Sequence, residues 1–285
     1  MENIPEHNTS IVSIVGKDNK HLFLLANLYY APFDPESVLT VVVSLEHKPE
    51  VSWNTIHSME QWCTSMDRSL GGNLFVVTME GELHKFDGNQ WGVTDLNCPD
   101  GLNSVWAAND NEVFIAGLGG ERIRVINDQI ELSKDPNNIR LNAIHGSSVT
   151  NVVAVGDEGM VFKYDGNNWR KTELPTNVNL LSVYCRSDNE ILIGGAEVLY
   201  RWDGVAWHDI ESQNMIISSI EYFDNSYYLA CGDNGVHVLI NDKLALFKSI
   251  TVYRLKKIDS LLFAIGNRLV AQFDGQEWWG GDLNL

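Results

Sequence analysis

One short design is written four times in this chain. Val161-Phe162-Lys163-Tyr164-Asp165-Gly166-Asn167-Asn168-Trp169 reads as an alternating strand, an Asp-Gly turn and a Trp that opens the next strand. It returns as Leu83 to Trp91, Leu199 to Trp207 and Ala271 to Trp278, with Asp87-Gly88, Asp203-Gly204 and Asp274-Gly275 at the turns. Such a repeat limits the possible folds more than composition does, because each unit must bury its apolar face against a copy of itself.

The units are evenly spaced. An inner-strand pattern recurs as Gln61-Trp62-Cys63, Ser104-Val105-Trp106, Ala143-Ile144-His145, Ser182-Val183-Tyr184, Ser219-Ile220-Glu221 and Arg254-Leu255-Lys256. A second, more apolar strand follows each, ending at Thr78, Gly117, Gly156, Gly194, Gly232 and Gly266. Those end points lie 39, 39, 38, 38 and 34 residues apart. Two units replace Asp-Gly by Asn127-Asp128 and Asn241-Asp242, which also tolerate left-handed turns. The first unit is less regular. Strands are expected at Ile11 to Val15, His21 to Ala26, Val38 to Glu46 and Val51 to Ile56. Between the second and third lies Asn27 to Ser37, a loop with two prolines.

Four short strands per roughly 40 residues, repeated, predict an all-β chain folded as a β-propeller. Six regular units and the irregular first one give seven blades of four antiparallel strands in a single domain. The expected blades are roughly 9–57, 58–97, 102–133, 140–174, 180–212, 216–248 and 250–283. The Gly closing each second strand is expected to supply positive φ for a tight hairpin. The Trp after each turn should pack against the neighbouring blade. The chain begins on an inner strand and ends on an outer one, so packing of the first blade on the last must seal the ring.

These units resemble bacterial propeller repeats whose fourth strand follows a Tyr/Phe-Asp-Gly-x-x-Trp turn, distant relatives of the Asp-box repeats. Asn103 to Asp128 and Asn142 to Trp169 carry the resemblance best, and it extends over Gln61 to Asp282. The Ser that an Asp-box places two residues before its Asp is here Lys85, Lys163, Arg201 or Gln272. The resemblance implies a propeller. Such propellers serve as lectins, glycosidases, assembly factors and inhibitors.

Charge narrows the choice. There are 38 acidic against 20 basic residues, a net charge of −18. That opposes binding to a nucleic-acid backbone, which needs a basic footprint, and to an anionic membrane surface. No stretch approaches the roughly 18 apolar residues of a membrane span. Met1 to Ser10 has no basic start and no apolar run, so a cytoplasmic location is expected. Cys63, Cys98, Cys185 and Cys231 show no paired spacing, which suits a reduced protein.

Motifs for catalysis do not emerge. The His residues lack metal-ligand spacing, and no Gly-x-Ser-x-Gly elbow is present. Gly117-Leu118-Gly119-Gly120 aligns with hairpin turns in other units and is followed by no helix, unlike a phosphate-binding loop. Asp87, Asp165, Asp203 and Asp274 each supply too few oxygens for calcium and read as turn formers. A sialidase-like site would want Arg near the axis, whereas Arg122, Arg124, Arg170 and Arg201 fall on third and fourth strands. The chain is therefore expected to be neither an enzyme nor a cofactor binder.

What remains is a surface. In a propeller the loops joining second to third strands share a face with the connections between blades. Those loops place Asp34, Glu36, Glu80, Glu121, Asp157, Glu158, Glu197 and Asp233 around one rim, joined by Tyr29, Tyr30 and Phe33. Aromatic anchors amid charge suit a protein-binding patch. The expected function is an acidic inhibitor, such as an immunity protein masking a basic toxin. A sugar-binding propeller using the Trp series as its platform is the alternative, and a glycosidase the third.

Overall fold

The computed structural model describes residues 7–30, 37–48 and 50–283. They form seven sheets, each of four antiparallel strands consecutive in sequence. The blades occupy 8–59, 63–95, 102–134, 141–172, 180–210, 219–248 and 254–282. Helical structure is slight; one 3₁₀ turn spans Asp157–Gly159.

Burial follows position in the blade. Second strands such as Glu112–Gly117 and Asn151–Gly156 are buried along their whole length. Each is covered on both faces, by the blade before and the blade after, so it reads as a continuous apolar run rather than an alternation. Outer strands such as Trp91–Asp95 are mostly exposed and carry polar residues. The apolar clusters lie between blades: Phe75, Val77 and Leu83 pack with Val105, Ile115 and Ile123 of the next blade.

The repeated turn works as the sequence suggests. Asp165 Oδ1 accepts the N–H groups of Asn167 and Asn168 at 3.0 and 2.9 Å. Asp87, Asp203 and Asp274 each accept the corresponding pair. In the two variant turns Asn127 and Asp128, and Asn241 and Asp242, all have positive φ. The Trp after each Asp-Gly turn stacks or tilts on the aromatic before it. Tyr164–Trp169 centroids are 5.1 Å apart and Phe273–Trp278 centroids 5.2 Å. Trp91, Trp169, Trp207 and Trp278 also pack into clusters shared with the preceding blade. They form the joints between blades and no exposed platform.

Two expectations need correction. Gly117, Gly156, Gly194 and Gly266 lack positive φ. A Cβ on Gly156 would strike the Arg140 carbonyl, and one on Gly266 would come within 2.7 Å of the Thr251 carbonyl. These glycines let the connection between blades run close to the second strand. Positive φ falls later in the turn, at Gly81, Gly120, Gly159 and Gly235. In the first blade the second strand runs through Tyr29, beyond the expected Ala26. Asn27, buried there, donates to the Cys63 carbonyl at 2.9 Å and so belongs to the strand and the joint with blade 2.

Among the described residues no strand is exchanged between the ends of the ring. Ile11, Ile14 and Leu24 of the first blade pack against Ile258, Phe263 and Ile265 of the last. The Ile11 N–H donates to the Asn267 carbonyl at 2.9 Å across the same seam.

Candidate functional site

The turns between second and third strands are bound to the connections between blades. Leu118 N–H donates to the Gly101 carbonyl, Asp157 N–H to Arg140 and Ala196 N–H to Asn179, each at 2.9 Å. These two sets of loops therefore share one face. Glu80, Glu158, Glu197 and Asp233 are exposed on it, as the repeat suggested. Glu158 and Glu197 have φ of 56° and 64°, so their turns are held in left-handed geometry.

Glu121 must be withdrawn from this rim. It is 2% exposed, pairs with Lys134 at 2.6 Å and accepts the Gly119 N–H at 2.9 Å. It opens the third strand, and Gly119-Gly120 make the turn in its place. Asp157 is half-buried and accepts the Asn142 side-chain amide at 2.7 Å. That amide also donates to the Leu180 carbonyl at 2.9 Å, so Asp157 helps tie two blades together. Tyr29 is half-buried and tilted against Trp62, with centroids 5.6 Å apart. Tyr30 is 40% exposed. Phe33, Asp34 and Glu36 lie outside the described residues.

Around the axis the same face carries apolar groups that the repeat did not single out. Met79, Ile216 and Tyr253 are 46%, 55% and 39% exposed. Met79 and Tyr253, with Trp62 and Leu118, line a cavity of about 340 Å³ that also touches Thr64, Asn103, Arg140 and Arg254. Met79, Ile216 and Tyr253 occupy turn and connection positions where the units differ, so periodicity gave no signal for them. Arg254 belongs to an inner strand, unlike the four arginines that the sequence placed on third and fourth strands. Arg122 and Arg124, Arg170, and Arg201 do lie on third and fourth strands.

Deeper in the ring is a polar channel of about 160 Å³. Asp67, Trp106, His145, Tyr184, Glu221 and Lys256, one from each of six successive inner strands, line it. Lys256 Nζ lies 2.9 Å from Asp67 Oδ1, and Asp67 Oδ2 accepts the Ala107 N–H at 2.9 Å. Burial raises the Glu221 carboxyl above its ordinary range against the opposing pull of Lys256. Enclosure, helped by the Lys256 charge, pushes His145 down to about 4. Its Nδ1 accepts the Cys185 N–H at 3.0 Å, which requires the neutral ring. The carboxylates and the imidazole are thus committed to joining blades.

All four cysteines are buried, and burial lifts Cys98 to about 11 and Cys63 and Cys231 to about 12. A thiol with so little thiolate near neutral pH is a poor nucleophile. Among the described residues no group of three His, Cys, Asp or Glu side chains could hold a metal ion. Among them also, no helix is long and apolar enough to cross a membrane.

Against known proteins, no family model matches the chain. Part of it is similar to an immune protein. Over 151 residues it is 27% identical to the immune protein Tsi7 of Pseudomonas aeruginosa, covering 49% of this chain and 48% of that one. The chain thus spans about half the length of the curated relative it matches. Solved structures share the fold at low identity. Virginiamycin B lyase from Staphylococcus aureus superposes with a TM-score of 0.73 at 10% identity over 94% of both chains. The WD40 propeller domain of Doa1 gives 0.70 at 7% identity, over 91% of this chain and 90% of that one. One of these neighbours is a lyase and the other a WD40 domain, so their likeness speaks for architecture alone.

Proposed function

We propose that this chain is a cytoplasmic, non-catalytic immunity-type propeller that binds and masks a basic protein. The similarity to an immune protein carries this reading. The charge of −18 supports a basic partner, since a field of that sign speeds encounter with a cationic surface. The binding face is the one bearing Glu80, Glu158, Glu197 and Asp233. Exposed Tyr30, Met79, Ile216 and Tyr253 supply contact area that is desolvated on docking, and the carboxylates around them set approach and register.

The test is protection. The product of the gene adjacent to this one is expressed in a host with and without this chain. Growth arrest by the neighbour, relieved by this chain but not by a folded Met79→Asp/Tyr253→Asp double variant, is the expected result. A toxic neighbour that this chain leaves toxic overturns the reading, and so does full relief by the double variant.

A further inference from the structure

The axial cavity has the opposite charge character from the molecule around it. With 38 acidic residues in the chain, not one Asp or Glu among the described residues lines this cavity. Two arginines are, Arg140 and Arg254. Four arginines elsewhere find carboxylates: Arg124 pairs with Glu112 and Glu131, Arg170 with Asp165, Arg186 with Glu190 and Arg201 with Asp242. Among the described residues neither Arg140 nor Arg254 has an ion pair. Arg254 makes one long hydrogen bond, 3.4 Å to the Thr64 carbonyl, across from blade 7 to blade 2. Arg140 is exposed, and its carbonyl rather than its side chain serves the fold by accepting the Asp157 N–H.

The chemistry of that lining is specific. Two guanidinium groups offer forked donors matched to a carboxylate, and Trp62 and Tyr253 supply flat aromatic surfaces beside them. Asn103 directs its side-chain amide to the Leu141 carbonyl, and Thr64 its hydroxyl to Leu102, so both are occupied in joining blades. The two arginines are the charged donors of the lining. Arg254 also lines the deeper channel, where Lys256 is already paired with Asp67.

The geometry points to a carboxylate-binding pocket on the axis, which accepts an Asp, Glu or C-terminal carboxylate of the partner chain. Resting on the proposed docking face, this deepens that reading: the partner is basic at its periphery and presents one acidic group at its centre. The acidic rim repels a broadly anionic ligand. A single carboxylate flanked by neutral or basic residues passes the rim and pairs with the arginines.

The test needs no partner. Arginine Nε–H and Trp indole N–H signals of the whole chain are followed by NMR while a blocked Gly-Glu-Gly peptide is added. Its Gln counterpart, and inorganic phosphate, are added to parallel samples. Saturable shifts of Arg140, Arg254 and Trp62 signals with the Glu peptide, absent with Gln, are expected. Arg140→Ala and Arg254→Ala should each weaken the titration about tenfold, the factor that 1.4 kcal/mol represents. Arg170→Ala, on an outer strand, should leave it unchanged. Arg254→Lys, which keeps charge and loses the fork, should restore part of the affinity if Arg254→Ala alters the fold. No saturable shift with the Glu peptide overturns the proposal. A response to phosphate alone does so too, by assigning the pocket to a free anion. Either failure leaves the protection experiment untouched, so the two proposals stand or fall separately.

Discussion

At the scale of single residues, geometry separates positions that look alike in the sequence. Gly88 and Gly159 both have positive φ, +96° and +68°. A Cβ on Gly88 meets nothing within 4 Å, whereas one on Gly159 runs into the Thr176 carbonyl. Gly88→Ala should cost about 1–2 kcal/mol, the penalty for an L-residue in left-handed backbone. Gly159→Ala should cost more, because a neighbouring connection must also move; denaturant midpoints of the two variants decide it. His145 gives a pH prediction. Its folded pKa of about 4 lies below the ordinary 6.5, so within that window the unfolded chain holds a proton that the folded one lacks. Stability therefore falls as pH drops from 6.5 towards 4, by about 1–3 kcal/mol for this group. In His145→Gln the stability curve should be flatter over that window. An unchanged slope would show that the ring is already solvated. The sequence offered no sign of this, since His145 reads there simply as a strand histidine.

At the scale of the blade, much was legible because the same local physics recurs. Asp-Gly with a following Trp predicted turn, strand and joint together, and all three are present. Gly117, Gly156, Gly194 and Gly266 were misjudged, while Gly232 has the expected positive φ, because a hairpin and a close crossing both favour Gly and only the packed ring distinguishes them. Glu121 was misplaced for a related reason. The Gly119-Gly120 pair shifts the turn, so alignment with the neighbouring units put a strand residue on the rim. The joints also depend on polar side chains of modest sequence signal. Asn142 spans two acceptors, Leu180 O and Asp157 Oδ1. Asn142→Ala should cost about 1–3 kcal/mol by leaving buried acceptors unmet. Asn167→Ala should stay within about 0.5 kcal/mol, since the turn uses only the Asn167 backbone N–H. Equal losses in the two variants would mean that the joints contribute little.

At the scale of the whole molecule, the repeat gave the ring and its seven blades, and charge gave the sign of the field. The face proposed for binding followed in part from topology, which puts the loops carrying the exposed carboxylates and Tyr30 together. The apolar groups at the axis did not follow. Met79, Ile216 and the adjacent pair Tyr253 and Arg254 come from three different units and share one face only after closure. Long-range charge and short-range apolar contact affect binding kinetics differently, and that difference tests the central claim. The measurement is the association of the purified chain with the purified product of the adjacent gene, at two ionic strengths. Between about 0.01 M and 0.15 M salt the screening length falls from about 30 to 8 Å. The account predicts slower association with little change in dissociation, and a flattened salt response in a Glu80→Gln/Glu158→Gln/Glu197→Gln/Asp233→Asn variant. It predicts that Tyr253→Ala, with stability unchanged, speeds dissociation about thirtyfold, as loss of roughly 2 kcal/mol requires. Absence of a complex, or a complex whose rates ignore salt and all these substitutions, would contradict it.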